Sequence, residues 1–97
     1  MQSREQVLAV LRDALPRLRP FGVRSLALFG SFARDEADAR SDVDVLVEFA
    51  STPRFGEWLD VRDQLAVALG RPVDLVMTTA LQPRMKAEVA SELLRVA

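Results

Sequence analysis

Residues 30–44 read GSFARDEADARSDVD: a Gly-Ser turn, ten intervening residues and two aspartates one residue apart. The turn leaves one apolar run, and the aspartates Asp42 and Asp44 open another. Aspartate is depleted in β-strands, and like charges on one strand face repel each other. The fold alone therefore does not favour this pair, whereas a bound cation would remove the objection.

The apolar pattern on either side of this stretch predicts an α/β fold. Ser3 and Gln6 form a capping-box pattern before the first helix. Predicted strands are Ser25–Phe29, Asp42–Phe49 and Arg71–Met77. Four helices are predicted. The first starts near Arg4, with a break or restart near Pro16, and the second runs from Phe32 to about Ala39 with Ser31 as its cap. The third spans Phe55 to Leu69, and the fourth follows Thr78 or Thr79, with an apolar stripe of Met85, Val89 and Leu93.

The element order α-β-α-β-α-β-α predicts a small mixed sheet of three to four strands with flanking helices. With 97 residues, we expect one domain over residues 1–97. The N-terminal residues lack a signal-peptide pattern, and no apolar run reaches membrane-spanning length. We therefore expect a cytoplasmic protein without a membrane-embedded part.

The composition limits the chemistry that the chain can perform. It contains no cysteine and no histidine, so a metal ion could be held only by oxygen ligands, which favours Mg²⁺ or Mn²⁺. Work as a general base would then fall to aspartate or glutamate. The net charge of −1 argues against stable binding of nucleic acid through its phosphates.

Five residues together suit a nucleoside triphosphate. Gly30 lets a phosphate approach the backbone, and Ser31 offers a hydroxyl and the N–H groups of a starting helix. Asp42 and Asp44 can share a metal ion or a metal pair. Asp74, on the third predicted strand, could complete the site and accept a proton from an attacking hydroxyl.

Each of these residues also has a purely structural reading. Ser31 alone would more often be a helix cap, the aspartate pair could lie on the solvated face of an edge strand, and Asp74 alone would be a solvent-facing residue. Phe55 and Trp58 are expected to be core residues rather than a ligand platform. The coincidence of three strand aspartates with one Gly-Ser turn favours a site.

The segment LALFGSFARDEADARSDVDVLVEF (residues 26–49) resembles the signature of the minimal nucleotidyltransferases of the DNA polymerase beta superfamily. The resemblance implies ATP as substrate and Mg²⁺, with Mn²⁺ as a substitute. It implies the following roles: triphosphate binding by Gly30 and Ser31, phosphate contact by Arg34, metal binding by Asp42 and Asp44, and a third carboxylate at Asp74. Family members commonly have Gly after the Arg, and here the residue is Asp35. We therefore expect the helix after Ser31 to run differently.

Small stand-alone members of this superfamily are similar to MntA-type antitoxins, which are paired with a HEPN-domain ribonuclease toxin. This similarity implies transfer of AMP from ATP to a toxin tyrosine, in a toxin–antitoxin pair of the type VII kind. The chain has no tyrosine, so an acceptor of that kind must come from another molecule. The expected assembly is a hetero-oligomer with the toxin or a homodimer.

Two other functions stay open at this point. The chain could be a non-catalytic binding module that neutralises its partner by covering it. Apolar residues on the predicted helices around Trp58 and Met85 support this alternative. It could also be a nucleotidyltransferase that modifies a small molecule, although an acceptor-binding segment would then be expected.

Overall fold

A computed structural model of the chain describes residues 3–81, 86, 89–90 and 93–96. Two 3₁₀ turns, Arg19–Phe21 and Thr78–Ala80, accompany the main elements. The helices are α1 (Arg4–Leu18), α2 (Gly30–Ala33) and α3 (Phe55–Leu69). The strands are β1 (Val23–Phe29), β2 (Val43–Phe49), β3 (Val73–Met77) and β4 (Leu94–Arg95).

Helix α1 begins at the predicted capping box. The Ser3 hydroxyl accepts from the Gln6 N–H at 3.2 Å, and the Gln6 side chain accepts from the Ser3 N–H at 2.7 Å. The predicted break at Pro16 is wrong, since α1 continues through it to Leu18. Pro16 is exposed while Leu15 and Leu18 are buried, so packing against the core keeps the last turn helical although proline removes one hydrogen bond.

Helix α3 has the predicted bounds and ends at Gly70, which adopts the left-handed conformation. Its buried residues are Val61, Leu65 and Leu69. The expectation that Phe55 belongs to the core is wrong: its side chain is 74% exposed at the first helical position, before the apolar stripe of α3 reaches the sheet.

The four strands form one mixed sheet in the order β3-β2-β1-β4. Strand β1 is antiparallel to both of its neighbours, and β2 is parallel to β3. The predicted mixed sheet of three to four strands flanked by helices is confirmed. A parallel pair needs a crossover connection, and α3 provides it between β2 and β3.

The main hydrophobic core lies between one face of the sheet and helices α1 and α3. Val43, Val45 and Val47 point into it from β2 and are fully buried. A smaller cluster on the alternate positions contains Ala27 and Leu46, packed with Val89 from the C-terminal part of the chain. The alternation of β2 thus separates a helix-covered face from a second face that is only partly covered.

Most of the predicted fourth helix lies outside the described residues, and Lys86, Val89 and Ala90, which are described, have helical backbone. Thr78 begins a short 3₁₀ turn rather than capping a helix, and Leu93 is not helical but directly precedes β4. Val89 has helical backbone and is buried, as expected, whereas Met85 lies outside the described residues. Strand β4 was not predicted, because its two residues are held by pairing with β1 at distant positions and carry no local signal. No helix in the described part of the chain is long and apolar enough to cross a membrane.

Candidate active site

Asp44 and Asp74 are placed side by side by the parallel pairing of β2 and β3. They are register partners in the sheet, and Phe29 of β1 is the partner of Asp44 on the other side. Asp44 is half-buried and Asp74 is exposed. Since residues paired in register point to the same side of a sheet, both carboxylates lie on the face opposite the main core.

Gly30 follows β1 directly and lies against Asp44. Its φ of +75° is in the left-handed region, which disfavours other residues. A Cβ built at Gly30 would overlap the Asp44 carboxylate, with Asp44 Cγ only 2.8 Å away. The left-handed backbone and the close contact with Asp44 therefore each require glycine here. The contact is with a candidate site residue, whereas the sequence had suggested room for an approaching phosphate.

Ser31 lies inside α2, because the helix begins one residue earlier at Gly30. The predicted cap at Ser31 is therefore wrong: Phe29 occupies the cap position, and no side chain caps the helix there. The predicted helix from Phe32 to about Ala39 is also wrong. Helix α2 ends at Ala33, and Asp35 adopts a φ of +60° just after it.

The conformation of Asp35 explains how the chain accommodates the departure from the family pattern. A helix commonly ends with a residue in the left-handed region, where glycine is favoured and aspartate is tolerated better than most residues. Asp35 takes this conformation and is exposed, so its carboxylate is solvated. Its neighbour Arg34 is also exposed and pairs with Glu36, with Arg34 Nε 3.1 Å from Glu36 Oε2.

Asp42 lies just outside the sheet. Strand β2 begins at Val43 rather than at the predicted Asp42, whose side chain is exposed. The loop before it contains a turn in which the Asp38 carboxylate accepts from the Arg40 N–H at 2.8 Å. The Ser41 hydroxyl accepts from the Asp38 N–H at 2.9 Å. These short local bonds define the approach of the chain to Asp42.

Two arginines that no sequence pattern indicated hold the elements around these residues. Arg71 donates to Ser41 O at 2.8 Å, and its guanidinium lies 4.9 Å from the centre of the Phe32 ring. Arg4 of α1 donates to Ala33 O, at the end of α2, at 3.3 Å. Both bonds go to backbone carbonyls, which every residue has, so no sequence spacing could indicate them.

The donor chemistry of the three aspartates fits a hard divalent cation, which prefers carboxylate oxygens. In the ranges that the structure describes, however, no three acidic side chains converge closely enough to enclose an ion. Register brings Asp44 to Asp74, while Asp42 lies two residues before Asp44 at the strand entrance. Asp42 and Asp44 would be the residues to hold a cation here, with Asp74 next to Asp44.

The family model for polymerase beta nucleotidyltransferases matches residues 18–95. The protein adenylyltransferase MntA of Thermococcus cleftensis is 36% identical over 97 residues, which cover 99% of this chain and 98% of the relative.

Two solved structures share the fold. One, assigned provisionally as a minimal nucleotidyltransferase, has a TM-score of 0.83 and 30% identity, covering 96% of this chain and 95% of its own. The other is the antitoxin of Shewanella oneidensis in complex with its tri-AMPylated HEPN toxin. Its TM-score is 0.67 with 22% identity, covering 93% of this chain and 71% of the matched chain.

Proposed function

The chain belongs to the polymerase beta nucleotidyltransferase family, and we propose that it transfers AMP from ATP to a hydroxyl group of a HEPN-domain toxin. Two findings support this activity and this partner. The Thermococcus cleftensis relative is named a protein adenylyltransferase, and the Shewanella oneidensis antitoxin, which has the same fold, is in complex with an AMPylated HEPN toxin. The protein would act in the cytoplasm, where ATP and Mg²⁺ are available.

The observation that carries the proposal is the placement of Asp44. It is the register partner of Asp74 and it packs against Gly30. One carboxylate is therefore adjacent both to the Gly-Ser turn and to Asp74. Two adjacent carboxylates on neighbouring strands repel each other and lower the stability of the apo sheet. A cation bound with ATP offsets this repulsion, which gives the arrangement a functional reason.

In the proposed site, the Gly30 and Ser31 turn faces the triphosphate and Arg34 approaches a phosphate from the exposed side. Arg34 would have to exchange its ion pair with Glu36 for the phosphate contact. This costs little free energy, because an exposed ion pair contributes little to stability. Asp42 and Asp44 would hold Mg²⁺, which would neutralise charge on the triphosphate and on the departing pyrophosphate. Mn²⁺ would substitute for Mg²⁺ because it accepts the same oxygen ligands.

The transfer itself is an in-line displacement. The acceptor oxygen forms a bond to the α-phosphorus of ATP as the bond from that phosphorus to the bridging oxygen of pyrophosphate breaks. The hydroxyl proton passes to a carboxylate, and Asp74 is the proposed acceptor of that proton. A tyrosine of the toxin is the proposed nucleophile, since this chain contains no tyrosine of its own.

The activity is tested by incubating the purified protein with ATP labelled at the α-phosphate, Mg²⁺ and the protein encoded by the adjacent gene. We expect the label on the partner, with a mass increase of one or more AMP groups on tyrosine. Label on serine or threonine would contradict tyrosine as the acceptor residue. An unlabelled partner would contradict protein adenylylation.

The double variant Asp42→Asn/Asp44→Asn separates catalysis from binding. We expect AMP transfer to fall by about 10³-fold or more, because the charge stabilisation that a bound cation supplies is worth several kcal/mol. The control is Asp60→Asn/Asp63→Asn, which removes the same two charges from helix α3. Retained complex formation with lost neutralisation of the toxin supports catalysis.

Unchanged neutralisation by the same double variant would support a second candidate function, a module that neutralises its partner by covering it. The observation in its favour is the aromatic pair at the start of α3. Phe55 is 74% exposed and stacks on the half-buried Trp58, with ring centres 6.1 Å apart. An exposed aromatic pair of this kind is suited to contact with another protein.

A further inference from the structure

Arg71 contacts two of the segments that carry the proposed site residues. Its guanidinium lies over the ring of Phe32, which is buried in α2 two residues after Gly30. Its Nη1 donates to Ser41 O at 2.8 Å and lies 3.4 Å from Asp38 O. One half-buried side chain therefore joins the helix after the Gly-Ser turn to the loop that leads into β2.

The segment formed by Arg71 and Pro72 holds Asp42 from both sides. The residue before Asp42 accepts a hydrogen bond from the Arg71 side chain, through Ser41 O. The residue after it, Val43, donates its N–H to Pro72 O at 3.0 Å. Asp42 itself lies outside the sheet and is exposed, so these two bonds define where its backbone lies relative to β3.

We propose that Arg71 is a positioning residue that holds Asp42 at the entrance of β2, two residues before Asp44, and aligns this edge with the Gly30 turn. The inference rests on the proposed function, because it assigns Asp42 a place in the transfer site. Arginine suits the task because a planar guanidinium can stack on a ring while its N–H groups donate to carbonyls. Lysine has neither the flat surface nor the fixed fork of donors.

The chain contains a matched contact for comparison. Arg62 lies over Trp58 with its guanidinium carbon 5.4 Å from the ring centre, and it pairs with Asp63 on the same helix. Arg62 is thus a second arginine stacked on an aromatic ring, but it contacts only its own helix α3. Any general effect of losing an arginine–aromatic contact should appear equally at both positions.

The first experiment compares Arg71→Lys, Arg71→Met and Arg62→Met in the AMP-transfer assay with the partner protein. Misplaced catalytic groups lower turnover steeply, so we expect Arg71→Met to lower kcat by about tenfold to a hundredfold. It should also raise the Mg²⁺ concentration that gives half-maximal rate, while KM for ATP changes less than kcat. Arg71→Lys should restore little of the loss, and Arg62→Met should leave kcat and the Mg²⁺ requirement unchanged.

The second experiment needs neither ATP nor metal and reads the loop directly. The Ser41 N–H donates to Asp38 O and the Val43 N–H to Pro72 O. Exchange of these two amides in the free proteins should be about tenfold faster in Arg71→Met, because the Arg71 bond no longer opposes local opening of the loop. Exchange in the middle of β1 should stay as in the wild type. If the wild type transfers no AMP, the proposed function fails by itself, and this exchange comparison still decides whether Arg71 holds Asp42.

Three results would overturn the inference. One is wild-type exchange at these amides in Arg71→Met. Another is an equal loss of kcat in Arg71→Met and Arg62→Met. The third is a loss of activity in Arg71→Met that matches the fraction of unfolded protein measured by circular dichroism under the same conditions, which would make the role of Arg71 purely structural.

Discussion

The two faces of the sheet differ in composition and burial, although the same strands supply both. On the face covered by α1 and α3, Leu28, Val43 and Val45 have no exposed surface. On the other face, the half-buried Asp44 and the exposed Asp74 lie next to each other at the end of the sheet near Gly30. The first face provides most of the hydrophobic free energy of folding, and the second places two like charges on neighbouring strands.

The largest expected effect on stability comes from truncating the helix-covered face. Leu28→Ala should lower the free energy of unfolding by about 3 kcal/mol, since it leaves a cavity in a close-packed core. Leu46→Ala, in the smaller cluster on the other face, should cost about 1.5 kcal/mol because that cluster can relax more easily. Urea unfolding followed by circular dichroism measures both values. Equal losses would show that the two faces contribute equally to stability.

A smaller effect is expected where the second face meets the Gly-Ser turn. Gly30→Ala should cost about 2 kcal/mol, from its left-handed backbone and from displacement of the Asp44 carboxylate. Gly70→Ala is the matched control: its φ of +70° is similar, but nothing lies within 4 Å of the added Cβ. It should cost about 1 kcal/mol.

The difference between the two glycine variants isolates the contact with Asp44. Gly30→Ala should also lower AMP transfer beyond the loss of folded protein, whereas Gly70→Ala should not. Identical unfolding free energies for the two variants would mean that Asp44 moves aside at no cost, and that its position is not constrained by Gly30.

The smallest expected effect has the opposite sign. Asp74→Asn should raise the free energy of unfolding by a few tenths of a kcal/mol, because it removes the repulsion between register partners. This gain should shrink at high salt, which screens exposed charges. AMP transfer should fall in the same variant. Lower stability at low salt would contradict the view that this pair of carboxylates is costly in the apo sheet.

Local patterns predicted most of the regular structure. The alternation in β2 predicted a strand and the apolar stripe of α3 predicted a helix, and both predictions are confirmed, since each pattern depends on residues close together in sequence. The capping box at Ser3 and Gln6 was predicted for the same reason and is present. The core strands and the long helices therefore follow from hydrophobic periodicity.

The wrong predictions concern segments where helical composition or a proline alone does not decide the backbone. Helical composition after Ser31 predicted a helix of about two turns, yet α2 ends at Ala33, where Asp35 turns into the left-handed region. Pro16 looked like a helix break, but packing of the last turn of α1 prevents it. Arg71 carried no signal because its partners are carbonyls and a ring on segments far away in the sequence.

The sequence by itself determined which chemistry is available: oxygen ligands only, a Gly-Ser turn and three aspartates in or directly before strands. It also determined which alternate residues of each strand enter the core, because that pattern is local and has a period of two. Only the tertiary structure decided that Asp44 lies beside Asp74 and against Gly30, and that Arg71 and Pro72 hold the backbone on both sides of Asp42. Register and crossover geometry join residues that are thirty positions apart, and no local pattern contains that information.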